Sequence, residues 1–232
     1  MVRIAVLDLS YWPAEYMSGQ PKFGEELARW MARGLPDAVF TVIDVVEGDP
    51  LPQALDFDGY LVSGSDKGVY DDPVWMAPLR MFLLAAKAAG RPLLGVCFGH
   101  QVMADVFGGK AEKVGPPIVG VRTFDIDGVK HPAHVWHQDQ VTRMPPGASV
   151  IARADYCPLA GLAYDFPALS VQFHPEYEAH YMGGFLKRAR GNVLENAATD
   201  IALGEIDTGN VQPDLFAKQA AAFFRSAVPD PG

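Results

Sequence analysis

The sequence predicts an α/β domain whose sheet is mostly parallel and covered by helices, with antiparallel strands added in its second half. Two observations carry this reading. Short apolar runs alternate with helical patterns from the N-terminus to about residue 109, as a parallel sheet with crossover helices requires. From 110 to 175 the pattern changes to short strands separated by Pro and Gly, which suits hairpins. With 232 residues, 49% of them hydrophobic, one sizeable core can be buried. No linker, repeat or low-complexity tract divides the chain, so residues 1–232 are read as one domain.

Residues 2–9 form an apolar run ending in polar residues, as expected of a buried parallel strand. A loop with Pro and Gly follows over 11–21. The spacing predicts a helix over 23–33, with Phe23, Leu27, Trp30 and Met31 on one face and Gly34 as its stop. Residues 39–46 and 60–62 read as the second and third strands, the latter ending in Ser63-Gly64-Ser65. Asp72 and Pro73 offer a capping carboxylate and a first-turn proline for a helix reaching about residue 89, before Gly90. A short strand over 92–96 and a helix over 100–107 complete the alternating part. Further strands are expected near 119–126, 133–136, 149–154, 159–164 and 169–173, and helices over 178–228. The last of these, 214–227, carries Phe216, Phe223 and Phe224 as a core stripe.

The net charge of −9 speaks against nucleic acid and anionic membranes as partners, since both favour basic surfaces. Two cysteines, Cys97 and Cys157, fit a reducing cytoplasm rather than a disulfide scaffold. The N-terminus lacks the pattern of a signal peptide. The longest apolar run, 81–89, contains Lys87 and is too short to span a bilayer.

The most informative segment is Gly95-Val96-Cys97-Phe98-Gly99-His100-Gln101, a Gly-x-Cys-x-Gly between a buried strand and a helix. This is the cysteine form of a nucleophile elbow. The turn forces the central side chain outward and tolerates little bulk two residues to either side, hence Gly95 and Gly99. The helix N-terminus beyond favours thiolate over thiol, and the N–H of Phe98 is placed to stabilise a developing oxyanion. A buried, inert cysteine is the bland alternative, and it suits Cys157, which has no such context. A thiolate needs proton handling. Val171-Gln172-Phe173-His174-Pro175-Glu176 puts His174 at the end of a buried strand, with Pro175 stiffening the exit and Glu176 in reach of the imidazole.

Together, Gly-Val-Cys-Phe-Gly-His-Gln at 95–101 and Gln-Phe-His-Pro-Glu at 172–176 resemble the class I glutamine amidotransferases. Among them they resemble the amidotransferase domain of GMP synthetase and stand-alone proteins similar to it. The resemblance runs from about residue 2 to 190, leaving 191–232 as a helical extension. It implies a flavodoxin-like sheet, a Cys97-His174-Glu176 triad and no cofactor. It also implies an oxyanion hole from the N–H groups of Phe98 and Ser65, in a loop where many members carry Gly at the position of Ser65. Trp136-His137-Gln138-Asp139 is similar to a family segment that lines the glutamine pocket. Gly64, Gln101, His137, Gln138 and Asp139 are therefore expected to bind substrate.

Other signals are read as structural. His131, His134 and His137 are three apart on a strand, where such spacing alternates faces, and no metal is expected there. His100 is read as support for the elbow. Gly108-Gly109-Lys110 lacks the spacing of a phosphate loop. The first functional expectation is a glutaminase that hands ammonia to a separate synthase subunit. The second is a self-sufficient hydrolase of γ-glutamyl amides or peptides. The third is a non-catalytic binding module of the same fold. A cysteine α/β-hydrolase is less consistent, because there the acid precedes the histidine in sequence.

Overall fold

The structure is a computed structural model that describes residues 1–11 and 19–228. Most of the loop expected over 11–21, residues 12–18, lies outside the described residues. Among the described residues the sheet has nine strands in the order β2-β1-β3-β4-β9-β8-β7-β5-β6. β1 (Arg3–Asp8), β2 (Val39–Asp44), β3 (Gly59–Val62), β4 (Leu93–Val96) and β9 (Ala168–Val171) pair in parallel. Beyond β9 the pairing becomes antiparallel, through β8 (Cys157–Ala163), β7 (Ser149–Ala154), β5 (Lys110–Ile126) and β6 (Val129–Arg143). The expected α/β class with a mixed sheet is thus observed.

Period-two alternation sends β1 side chains into two cores. Ile4 and Val6 face α1 (Phe23–Gly34) and α6 (Pro213–Ala227), while Ala5 and Leu7 face α2 (Met76–Ala88) and α3 (Phe98–Val106). A third cluster joins α4 (Ala179–Ala189) and α5 (Asn196–Thr208) to Phe23 and Val119. No helix among the described residues is long and apolar enough to cross a membrane.

Three expectations are corrected. Asp72 and Pro73 do not start α2; the chain turns first, with the N–H of Met76 on the Pro73 carbonyl at 2.9 Å, and Trp75 takes the cap position. The carboxylate that serves here is that of Asp71, which accepts from the N–H of Gly68 at 2.9 Å and closes the preceding loop. α3 begins at Phe98, two residues earlier than its apolar pattern suggests, because the elbow leads straight into the helix. The strands expected at 119–126 and 133–136 are parts of one long hairpin. Its turn is Asp127-Gly128, with φ of 51° and 82°, the left-handed pair that closes two-residue hairpins. Register breaks between Lys113 and Ile118 hid its length from a periodicity reading. The hairpin crosses to the parallel half, where His134 on β6 bridges to His174.

The helical tail is part of the core. Trp30 on α1 stacks on Phe216 of α6 at 6.1 Å and 12°, and its indole N–H reaches the Pro213 carbonyl at 3.0 Å. Gly59 at the start of β3 leaves room for Phe224, whose ring would lie 2.7 Å from any Cβ there. Phe216 and Phe224 are buried and Phe223 packs partly against them. Phe224→Ala is therefore expected to lower unfolding free energy by about 3–5 kcal/mol, measurable by urea denaturation. A loss below about 1 kcal/mol, within the range of ordinary surface substitutions, would show α6 to be an appendage.

Candidate active site

β1, β3, β4 and β9 end on one edge of the sheet, the usual place for a site in an open α/β fold. Cys97 follows β4 with φ 54° and ψ −104°, a backbone that L-residues rarely adopt. Three hydrogen bonds hold it there. Its N–H reaches the Val171 carbonyl (2.8 Å), its carbonyl receives the N–H of Gln101 (3.1 Å), and the N–H of Gly99 reaches the Ser63 carbonyl (3.1 Å). The flanking glycines leave no space for a side chain. A Cβ on Gly95 would lie 2.6 Å from Gly99 carbonyl atoms, and one on Gly99 would overlap the Val62 carbonyl oxygen.

His174 lies beside Cys97, with its own N–H on the His134 carbonyl at 2.9 Å. Its Nδ1 meets Glu176 Oε1 at 2.7 Å, and its side chain interacts electrostatically with Cys97. With Nδ1 engaged by Glu176, Nε2 is the nitrogen left for the sulfur. Tyr177 lies flat against the imidazole, 4.1 Å between centroids and 3° between planes. Burial by itself would lower the His174 pKa; the Glu176 carboxylate and the charge of Cys97 outweigh it and raise the pKa to about 10.

Gly64 approaches both groups. A Cβ there would be 3.2 Å from His174 Cε1 and 3.8 Å from Cys97 Cβ. Phe98 is the first residue of α3, so its N–H has no acceptor within its own helix. Ser65, Gln101, His137, Gln138 and Asp139 all line one cleft of about 210 Å³ with Cys97 and His174. Asp139 accepts the Tyr70 hydroxyl at 3.1 Å, and burial raises its pKa. His137 is tied to the Asp139 carbonyl at 3.0 Å and to the Tyr156 hydroxyl at 3.3 Å. Burial lowers its pKa to about 4, so it is neutral.

His100 supports the elbow from behind. It bridges Ser170 Oγ (2.7 Å) and the Leu159 carbonyl (2.9 Å), with burial lowering its pKa to about 3. Cys157 is fully buried, its thiol pushed up to about 12 by burial.

Sequence reasoning missed Tyr177, although it directly follows Glu176. It also gave no role to Gln172, whose Nε2 lies 3.7 Å from Cys97 Sγ. The aromatic side of the cleft was not foreseen either. Phe23 contacts Tyr177 and Phe185 at 5.7 and 5.5 Å, and Trp136 contacts Phe185 at 6.4 Å. These rings come from α1, β6 and α4, and no local pattern joins them.

Residues 38–188 match the family model described as glutamine amidotransferase class-I. The chain belongs to this family. A GMP synthase (glutamine-hydrolyzing) of Thermus thermophilus is 34% identical to it over 187 residues, covering 75% of this chain and 34% of that protein. The chain thus spans about a third of that relative's length. One of the GMP synthase subunits of Pyrococcus abyssi is 38% identical over 95 residues, 37% of this chain and 50% of that one. Among solved structures, a glutamine amidotransferase from Thermotoga maritima superposes with a TM-score of 0.77 at 17% identity, covering 99% of both chains. One from Methylobacillus flagellatus does so with 0.74 at 22% identity, covering 100% of this chain and 96% of that one. At these identities the likeness is one of fold.

The His174 shift has a definite sign. Its ordinary pKa is 6.5 and the folded value about 10. The pairing therefore stabilises the fold fully below pH 6.5 and is lost as the pH climbs through 10. Glu176→Gln keeps the burial and removes the larger of the two raising charges. By NMR the imidazole midpoint is expected to fall by at least about one pH unit. The gap in melting temperature between wild type and variant should be widest near about pH 6 and close toward about pH 10. An unmoved midpoint would show that Glu176 is not the partner of His174.

Proposed function

We propose that the chain hydrolyses the γ-carboxamide of glutamine through a γ-glutamyl thioester on Cys97. The observation that carries this reading is the line of sulfur, imidazole and carboxylate, with Cys97 and His174 lining one cleft and Glu176 behind the imidazole. The Cys97 thiolate attacks the γ-carbonyl carbon. The resulting oxyanion is held by the N–H groups of Phe98 and Ser65. His174, an imidazolium at neutral pH, gives its proton to the departing nitrogen as the C–N bond breaks and ammonia leaves. Neutral His174 then takes a proton from water, whose oxygen attacks the thioester and frees glutamate and the thiolate. Glu176 fixes the tautomer throughout, and Tyr177 keeps the ring in its plane. Gly64 lets the oxyanion loop approach without a side chain in the way. Asp139, held by Tyr70, offers the substrate's α-ammonium a counter-charge, alongside Gln101, His137 and Gln138.

The ammonia would pass to a separate synthase polypeptide. The Pyrococcus relative, named as one subunit of a GMP synthase, supports a division of the two reactions between chains. A second reading has its own support. His174 protonates the departing nitrogen; the Tyr177 ring stacks on the imidazole, and the rings of Tyr177, Phe23, Phe185 and Trp136 line the same cleft. An apolar substituent on that nitrogen would lie against them, which favours hydrolysis of γ-glutamyl amides or peptides. A purely non-catalytic role is disfavoured by the intact line of three groups.

Purified protein should release ammonia from glutamine, and Cys97→Ala should lower the rate by at least about a thousandfold. Comparison of kcat/KM for glutamine and γ-glutamyl-p-nitroanilide decides between the two substrates. Turnover that survives Cys97→Ala would overturn both readings.

A further inference from the structure

Cys97 Sγ has more than His174 around it. The Trp136 carbonyl lies 3.7 Å away, and so does Gln172 Nε2. The carbonyl disfavours negative charge on the sulfur; an amide N–H favours it. Which end of the Gln172 amide faces the sulfur therefore matters, and a chain of contacts settles it. The Asp139 carbonyl can only accept, and the Gln101 amide lies 3.0 Å from it, so the Gln101 end that faces it is Nε2. The same Nε2 lies 3.1 Å from the Gln172 amide, which must present Oε1. The other end of Gln172 is then Nε2, and it points at the sulfur. Gln172 is fully buried and Gln101 nearly so. The Gln172 backbone N–H is pinned to the Ala160 carbonyl at 2.8 Å.

We infer that Gln172 is a further catalytic residue, donating an N–H to the Cys97 thiolate, and that Gln101 acts through it as a positioning residue. This rests on the reading of Cys97 as nucleophile. The donor favours thiolate in the resting site and persists when His174 has given up its proton, at the stage where thiolate must leave the carbonyl carbon. It also ties the nucleophile to the cleft wall, since one relay runs from Asp139 through Gln101 to the sulfur. The other groups facing Cys97 are His174 with Glu176 behind it on the exit from β9, Tyr177 beyond them, and Tyr156 between β7 and β8. Both tyrosines are held neutral by burial. Gln172 is thus an uncharged donor whose contribution can be separated from that of the imidazolium.

The test is the pH dependence of Cys97 alkylation by iodoacetamide, with the adduct located by peptide mass. Cys157 is buried and adds no background under native conditions. Gln172→Met keeps length and removes the donor; its alkylation midpoint should rise by about one pH unit, the scale of one hydrogen bond to a charged group. Gln172→Glu keeps an acceptor for Gln101 but turns an oxygen toward the sulfur, so its midpoint should rise further. Gln101→Leu should shift the midpoint in the same direction by less, and the Gln101→Leu/Gln172→Met double variant no further than Gln172→Met alone. If folded Gln172→Met or Gln172→Glu alkylates with the wild-type midpoint, the inference falls while the nucleophile reading stands, provided Cys97→Ala is inactive. If Cys97→Ala keeps full turnover, both fall.

Discussion

The site depends on holding Cys97 in a backbone conformation that an L-residue resists. A non-glycine residue at φ 54° and ψ −104° costs on the order of 1–3 kcal/mol, so its neighbours must enforce it. They do so with the hydrogen bonds to Val171, Ser63 and Gln101 and with two glycines pressed against backbone. These bonds have a second effect. Ser63 precedes Gly64 and Ser65, and Val171 precedes Gln172 and His174. The contacts that hold the elbow therefore also position the loop that approaches Cys97 and the strand exit that carries His174.

Electrostatics at the site follow from burial and from the order of charges along this line. Five of the six histidines, His100, His131, His134, His137 and His174, are buried, and burial alone lowers the pKa of each. Only His174 ends above the ordinary value, because only it has both a carboxylate and the cysteine beside it. Its neighbour His134, with a pKa lowered to about 4, stays neutral and adds no competing positive charge. Tyr177 covers one face of the imidazole with its ring. His174 is thus held above its ordinary pKa by two partners although it is buried.

What the sequence revealed and what it hid follow a physical division. The elbow was legible because the glycines at 95 and 99 flank the cysteine within five residues, although the Val62 carbonyl that presses on Gly99 comes from β3. His174 and Glu176 were legible because two residues suffice to bring carboxylate and imidazole together. The parallel strands β1, β3 and β4 showed as apolar runs because both of their faces are buried. The β5–β6 hairpin was cut into fragments because Pro116, Pro117 and Pro132 interrupt its alternation, although Asp127-Gly128 marked its turn. The helix expected from Asp72 starts later because a turn uses that segment first. The rings of Phe23, Trp136 and Phe185 meet only after folding, and so does the Asp139–Gln101–Gln172 relay. Neither leaves a trace in spacing.

The central claim is that this elbow presents Cys97 as a nucleophile toward a γ-glutamyl carbonyl. The most direct measurement is mass spectrometry of the protein quenched in acid during turnover of glutamine, followed by peptide mapping. The account predicts a γ-glutamyl adduct on the peptide containing Cys97, none on that containing Cys157, and none in Cys97→Ala. Steady turnover with no adduct on Cys97, or an adduct that maps to another residue, would contradict it.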